Sequence, residues 1–92
     1  MADTENDDNI SPQAWRIISR FGTPARLSRI LCQIADIAGD ERIARNKSSI
    51  CRWTYARRRR GTGGIIPGHM QRHINQAARL DGIILTPEDW IP

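Results

Sequence analysis

The chain has 92 residues and a formal net charge of +4, and 39% of its residues are hydrophobic. This length suits one small domain, and its two cysteines are too few for a disulfide framework. We expect no signal peptide and no membrane segment, because no apolar run approaches the length of a bilayer span. The protein is therefore predicted to be cytoplasmic. Thirteen of the 14 basic residues are arginine, the side chain suited to two-pronged contacts with phosphate and guanine.

The acidic residues are concentrated at the N-terminus. Residues 1–9 contain four acids and no basic residue, and a segment without apolar anchors does not bury enough surface to fold. We predict a disordered acidic tail at residues 1–10 and one folded domain at residues 11–92. Without those four acids, 14 basic residues face six acidic ones, so the predicted domain is strongly basic.

Apolar residues at helical spacing predict an all-α fold, a compact domain of four to five helices. Ser11 and Pro12 have the character of an N-cap and a first helical residue. They open a helix over about residues 12–21. Its core-facing side chains are predicted to be Trp15, Ile18 and Phe21.

A second helix is predicted to begin at Pro24, because Thr23 and Pro24 repeat the same capping signal, and to end at Gly39. Its core-facing side chains are predicted to be Leu27, Ile30, Leu31, Ile34 and Ile37 or Ala38. The segment 40–46 that follows is either a short helical turn or a loop, and the sequence leaves both open.

A third helix is predicted from Lys47 to about Arg57. Ile50 and Trp53 stand three residues apart and face inward, which leaves the polar residues outside. Those outer residues are Ser48, Ser49 and Arg52. A flexible connection is then predicted at Gly61, Gly63 and Gly64.

A fourth helix is predicted to begin at Pro67 and to close at Asp81 and Gly82. Its apolar stripe consists of Met70, Ile74, Ala77 and Ala78. The segment Thr86–Asp89 is predicted to form a capped single turn, which brings Trp90 down onto the domain.

The third predicted helix has the character of a DNA reader. Such a helix exposes short polar or basic side chains near its N-terminus and buries an apolar stripe on its other face. We predict base contacts by Lys47, Ser48, Ser49 and Arg52, with Arg52 the best candidate for guanine. Phosphate contacts, which give affinity but little sequence choice, are predicted for Thr54, Tyr55, Arg57, Arg58, Arg59 and Arg60.

Four segments carry a likeness to a known family. They are Ile17-Ile18 with Phe21-Gly22, Leu27–Leu31, Ile50–Trp53, and Ile66-Pro67 through Ala77-Ala78 and Gly82-Ile83 to Leu85–Asp89. Over about residues 14–90 the chain resembles the small Cro-like, lambda-repressor-like helix-turn-helix regulators of phages and bacteria, particularly the YdaS type. The resemblance implies a helix-turn-helix fold and DNA binding. It also implies base contacts by the residues before the buried aliphatic side chain and before the tryptophan, namely Lys47, Ser48, Ser49 and Arg52.

The chain departs from this family between Leu31 and Lys47. The family normally has a tight turn there, whereas this chain has 15 residues. Either the second helix extends to Ala38 or an extra turn is inserted.

Metal binding and catalysis are not predicted. His69 and His73, four residues apart, could form a zinc site with Cys32 and Cys51, but the cysteines lack the close pairing of structural zinc sites. Exposed histidines and buried thiols are predicted instead, with no cofactor and no small-molecule substrate. The acidic residues show no pairing typical of a catalytic site, so the chain is not predicted to be an enzyme.

These features predict a nucleoid-associated, sequence-specific transcriptional regulator of double-stranded DNA, and a repressor because no activation or ligand domain is evident. A homodimer is expected, with two recognition helices in successive major grooves about 34 Å apart. The apolar residues predicted either to form the dimer contact or to close the core are Ile83, Ile84, Leu85, Trp90 and Ile91. Two alternatives stay open: an architectural protein that coats DNA through its arginines, and an antitoxin or inhibitor whose basic face meets a protein partner.

Overall fold

The computed structural model describes residues 12–92, so the predicted acidic tail and the predicted Ser11 cap lie outside the described residues. The described part contains four α-helices and no strand. The helices are α1 (Gln13–Phe21), α2 (Pro24–Ala38), α3 (Lys47–Arg52) and α4 (Gly68–Leu80). Single 3-10 turns lie at Glu41–Ile43, Arg57–Arg59 and Pro87–Trp90. The predicted all-α class is confirmed.

Helix α2 is the centre of the domain, because it packs against each of the other three α-helices. The core consists of the apolar side chains that α1, α2, α3 and α4 turn toward one another, together with buried side chains from the connecting segments. Its largest fully buried members are Phe21, Ile17, Ile18, Leu27, Leu31, Ile50, Ile66, Met70 and Ile74. Among residues 12–92, none of the helices combines the length and apolar character that crossing a bilayer requires.

The buried stripe of α1 differs from the predicted one. Ala14, Ile17, Ile18 and Phe21 are buried, whereas Trp15 is 49% exposed, so the prediction that Trp15 faces the core was wrong. The stripe follows the i, i+3, i+4, i+7 spacing that begins at residue 14. The small side chain at that position lets another part of the chain pack closely, since the Ala14 amide donates to a backbone carbonyl of the segment before α4 at 2.8 Å.

Gln13 joins three segments that are distant in sequence. Its side chain is buried, and its Nε2 donates to the Trp90 carbonyl at 2.6 Å. Its Oε1 accepts a hydrogen bond from the Ile66 amide at 2.9 Å. A buried amide is tolerated only when it is hydrogen-bonded. These two bonds therefore fix both the C-terminal turn and the segment before α4 to the start of α1.

Helix α2 begins and ends where the sequence predicts. The Thr23 hydroxyl accepts from the Arg26 amide at 3.2 Å, and Gly39 ends the helix in the left-handed conformation with φ 67°. Ile37 is 77% exposed and Ala38 is exposed as well, so the prediction that one of them faces the core was wrong. Residues 36–39 are all exposed, because the last turn of α2 extends past the core.

The segment after α2 contains a helical turn, so the first of the two alternatives for residues 40–46, a short helical turn and not a loop, is correct. Asp40 accepts a hydrogen bond from the Arg42 amide at 3.0 Å and so caps the 3-10 turn at Glu41–Ile43. Ile43 is buried in the core and anchors this turn. The 15 residues between Leu31 and Lys47 therefore contain the end of α2 and a 3-10 turn.

Helix α4 buries the predicted stripe of Met70, Ile74, Ala77 and Ala78. It begins at Gly68, one residue later than predicted, with Pro67 at the cap position. The apolar residues after it divide into two groups. Partly buried side chains packed on the core are Ile83, Leu85 and Trp90, and exposed side chains are Ile84 at 81% and Ile91 at 57%.

The predicted capped turn near the C-terminus is confirmed, and Asp89 is its central residue. The Asp89 carboxylate is buried and accepts from the Thr86 amide at 2.9 Å. The Arg20 guanidinium lies 3.1 Å from its other oxygen. The hydrogen bond from the Thr86 amide is the main reason that the pKa of Asp89 lies below its ordinary value, and Arg20 lowers that pKa further against the opposing effect of burial.

The lowered pKa of Asp89 leads to a prediction about the stability of the fold in acid. A carboxyl group with a lower pKa in the folded state stabilises the fold above its unfolded pKa, and this contribution is lost as pH falls through the folded pKa. We expect Asp89→Asn to lower the free energy of unfolding near pH 7 and to flatten its decline below about pH 4. Urea unfolding at a series of pH values measures both effects. Parallel pH profiles for the two proteins would contradict this prediction.

Candidate nucleic-acid interface

Helix α3 is short, capped and held by two side chains. Asn46 caps it, since its Oδ1 accepts from the Ser49 amide at 2.8 Å. Ile50 is fully buried and Trp53 is only 4% exposed, which confirms that both face inward. Asparagine before an apolar-periodic segment is a recognised N-cap signal, and Asn46 is a residue that the sequence analysis missed.

The other face of α3 carries most of the residues predicted to contact bases. Lys47, Ser48 and Arg52 are exposed, whereas Ser49 is half-buried because it lies beside the capped first turn. Lys47 and Ser48 lie at the N-terminal end of the helix, and Arg52 is its last residue. The structure therefore brings three of the four predicted base-contacting side chains to one exposed helix face.

Helix α3 ends at Arg52 rather than near Arg57, so its predicted length was wrong. The amides of Trp53 and Thr54 donate to carbonyls three residues back, at 3.0 Å each, which tightens the chain into a turn. The Arg52 carbonyl accepts from the Thr62 amide at 3.3 Å. The end of the helix is thus bound by a segment that returns from ten residues further along the chain.

We call residues 53–64 the arginine loop. Hydrogen bonds within the loop close it: the Gly61 amide donates to the Ala56 carbonyl at 3.1 Å, and the Gly63 amide to the Tyr55 carbonyl at 2.9 Å. The Thr62 hydroxyl lies 3.1 Å from the Trp53 carbonyl and also reaches the Ile65 carbonyl. These bonds give the glycine segment, which was predicted to be a flexible connection, a defined hydrogen-bonded conformation.

The closed arginine loop requires glycine at position 61. A Cβ atom there would lie 2.1 Å from the Tyr55 carbonyl oxygen, far inside van der Waals contact. At the end of the loop, Gly64 has φ +84°, and a Cβ would lie 2.7 Å from Pro12 Cβ. Its carbonyl accepts the Ala14 amide at 2.8 Å, so the loop is fixed to α1.

The four consecutive arginines lie on this loop as a separate 3-10 turn, Arg57–Arg59, followed by Arg60 in the left-handed conformation with φ 65°. All four are exposed. The Arg59 guanidinium lies 5.6 Å from the centroid of the Tyr55 ring, a cation–π distance. The loop therefore presents its positive charge on a fixed backbone and not on a frayed helix end.

Thr54 has a different environment from the other residues predicted to contact phosphate. It is half-buried, and its hydroxyl donates to the Cys51 carbonyl at 2.7 Å. A hydroxyl has one proton to donate, so Thr54 cannot donate to a phosphate while this bond is made.

The ion pairs that join described residues do not involve Arg52, Arg57, Arg59 or Arg60. They join Arg20 to Asp89, Arg26 to Asp81, and Arg42 to Asp40. Within residues 12–92, no carboxylate lies at ion-pair distance from Arg52, Arg57, Arg59 or Arg60. Exposed arginines in this state are available to an anionic partner.

Cys32, His69 and His73 lie outside α3 and the arginine loop, whereas Cys51 is a residue of α3. Cys32 is exposed and Cys51 is half-buried, so the predicted burial of both was wrong. His69 is exposed and His73 is half-buried. Within the part of the chain that the structure describes, no group of three or more His, Cys, Asp or Glu side chains is placed to hold a metal ion.

Comparison of the chain with protein-family models, with curated proteins and with solved structures gives no match. The resemblance to Cro-like regulators accordingly stays a prediction.

Proposed function

We propose that this chain is a sequence-specific regulator of double-stranded DNA, with α3 in the major groove and the arginine loop on the phosphate backbone. The observation that carries the proposal is the two-sided character of α3. Buried Ile50 and Trp53 hold the helix, while Lys47, Ser48 and Arg52 are exposed together. A rigid helix with an exposed basic and polar face is what reading of base edges requires.

The arginine loop supplies the second part of the proposal. Phosphate contacts by arginine give affinity and register but carry little sequence information. The loop joins the end of α3 directly, so its arginines lie beside the groove that α3 would enter. We propose repression as the regulatory effect, because a protein bound at a promoter blocks access by occupancy. No catalysis and no cofactor form part of this proposal.

The test is selection of DNA from a random double-stranded library by the purified full chain, with excess unrelated DNA as competitor. Enrichment of one motif supports the proposal. Retention of all sequences alike would contradict sequence specificity and favour an architectural coat. No retention at physiological salt would overturn DNA binding and direct attention to a protein partner.

We also propose that the chain acts as a homodimer. Ile84 and Ile91 are exposed close to the C-terminal turn, and dimeric DNA readers of this kind bind half-sites about 34 Å apart on one DNA face. We expect sedimentation to show a dimer, and Ile84→Asp to shift it toward monomer without loss of helical circular dichroism. A wild-type protein that is monomeric in the presence of its DNA site would contradict this proposal.

A further inference from the structure

A cleft outside the interface described above lies between the turn that follows α2 and the first half of α4. It is open to solvent, has a volume of about 450 Å³, and is floored by Ile43 and Met70. Its polar lining consists of Asp40, Arg42, Arg45, His69, Arg72 and His73. The first three come from the segment between α2 and α3, and the last three come from α4.

The lining is strongly basic. Three arginines face one carboxylate, and both histidines of the chain are present. The Asp40 carboxylate is already paired with Arg42, because it accepts a hydrogen bond from Arg42 Nε at 3.0 Å. The hydrogen bond from the Arg42 side chain is the main reason that the pKa of Asp40 lies below its ordinary value. Arg45 and Arg72 are left without a carboxylate partner among the residues that line the cleft.

The cleft borders the N-terminal end of α3. Arg45 directly precedes Asn46, the cap of that helix. Its guanidinium donates to the Ala44 carbonyl at 2.8 Å, and its own carbonyl accepts from the Ser28 hydroxyl at 2.6 Å. The segment is therefore fixed to α2. The arginine loop follows the opposite end of α3, so the short helix has a basic region at each end.

Helix α3 separates these two basic regions. Helix α3 has six residues and is about 9 Å long at 1.5 Å per residue. The major groove is about 12 Å wide, with a row of phosphates on each edge. When the axis of a helix of this length runs across the groove, the groups at its two ends lie close to the two rows.

We propose that this cleft binds a phosphate of the DNA backbone, on the strand opposite the one that the arginine loop contacts. The inference rests on the proposed function and gives a role to the segment between α2 and α3. Guanidinium and protonated imidazole groups form charge-assisted hydrogen bonds to phosphate. The open shape of the cleft suits a phosphate that is part of a continuous backbone.

The first test removes one cleft charge and compares it with a matched charge elsewhere. Arg72→Gln changes an exposed side chain of the cleft, and Arg79→Gln makes the same change on an exposed site of α4 about 10 Å further along the helix axis. The measured quantity is the slope of log affinity against log salt for the selected DNA. We expect the magnitude of this negative slope to decrease by about 0.9 in Arg72→Gln and to stay unchanged in Arg79→Gln.

The outcomes separate this inference from the proposed function. An unchanged slope in Arg72→Gln, or an equal fall in both variants, overturns the cleft contact while DNA binding stands. A wild-type chain that binds no DNA overturns both. Inorganic phosphate is the further probe: if it shifts the imidazole NMR signals of His69 and His73 and DNA does not, the cleft takes free phosphate and the backbone contact is wrong.

The second test uses pH. The groups facing His69 and His73 are Asp40, Arg42, Arg45 and Arg72, and an imidazole binds phosphate more strongly in its protonated, positively charged form. We expect the wild-type salt slope to steepen on acidification by up to about one unit for each histidine that contacts phosphate. The double variant His69→Gln/His73→Gln should lose this change. An identical pH response in both proteins would overturn the part assigned to the histidines.

Discussion

Gly61→Ala is expected to lower DNA affinity on the order of 10- to 100-fold at about 0.1 M salt, although it removes no charge. An alanine Cβ would lie 2.1 Å from the Tyr55 carbonyl oxygen and 2.4 Å from Tyr55 Cβ, so the arginine loop cannot close in its present form. The expected loss corresponds to about two displaced phosphate contacts. Fluorescence anisotropy with labelled DNA measures it.

Gly68→Ala is the matched control for this variant. Gly68 opens α4, and a Cβ there meets no atom within 4 Å. Its affinity should equal that of the wild type, and its stability should rise by up to about 1 kcal/mol because the unfolded chain loses freedom. If Gly61→Ala folds and binds DNA as tightly as this control, the loop acts through its charge alone and its closed shape has no role.

The helices that the sequence predicts well are those whose ends are encoded locally. The Thr23 side chain caps the start of α2, and Gly39 ends the helix in the left-handed conformation. Both signals act within one turn of the helix. The stripe of α4 follows from simple periodicity, because Met70 and Ile74 lie on one face of an exposed helix. Such information needs no knowledge of distant segments.

The errors arise where distant segments decide the local structure. The arginine-rich sequence after Trp53 permits a longer helix, yet α3 stops because Thr62 returns to bind its last carbonyl. Trp15 has the largest apolar side chain of α1 but is 49% exposed, whereas the small Ala14 is buried and its amide donates to the Gly64 carbonyl. Neither contact has a signal in the local pattern.

The cleft and the buried amide of Gln13 could not be predicted for the same reason. The bonds of Gln13 reach Ile66 and Trp90, and the cleft joins Arg45 to Arg72 across two elements. More of the candidate interface could be predicted from the sequence, because α3 and the arginine loop are consecutive along the chain. The exposed positions of Lys47, Ser48 and Arg52 on α3 follow from the inward register of Ile50 and Trp53, which the sequence analysis inferred.

Arg52→Ala is expected to reduce discrimination at one base pair of the DNA site by about 1 to 3 kcal/mol, equivalent to about 5- to 150-fold. Arg52 is the last residue of α3 and is exposed beside buried Trp53, so its guanidinium has a fixed origin and space to reach a base. Arginine donates to the O6 and N7 atoms of guanine, and alanine leaves both acceptors without a partner. Competition between the selected site and each single-base variant of it measures the discrimination.

Arg57→Ala removes the same charge from the arginine loop and distinguishes base reading from phosphate binding. Arg57 is exposed and has no carboxylate partner among the described residues. We expect this variant to weaken binding to selected and random DNA alike and to decrease the magnitude of the salt slope by about 0.9. Arg52→Ala should instead weaken binding to the selected site far more than binding to random DNA. If both variants lost affinity equally on the two kinds of DNA, Arg52 would be a phosphate contact, and specificity would have to come from Lys47 and Ser48 at the other end of α3.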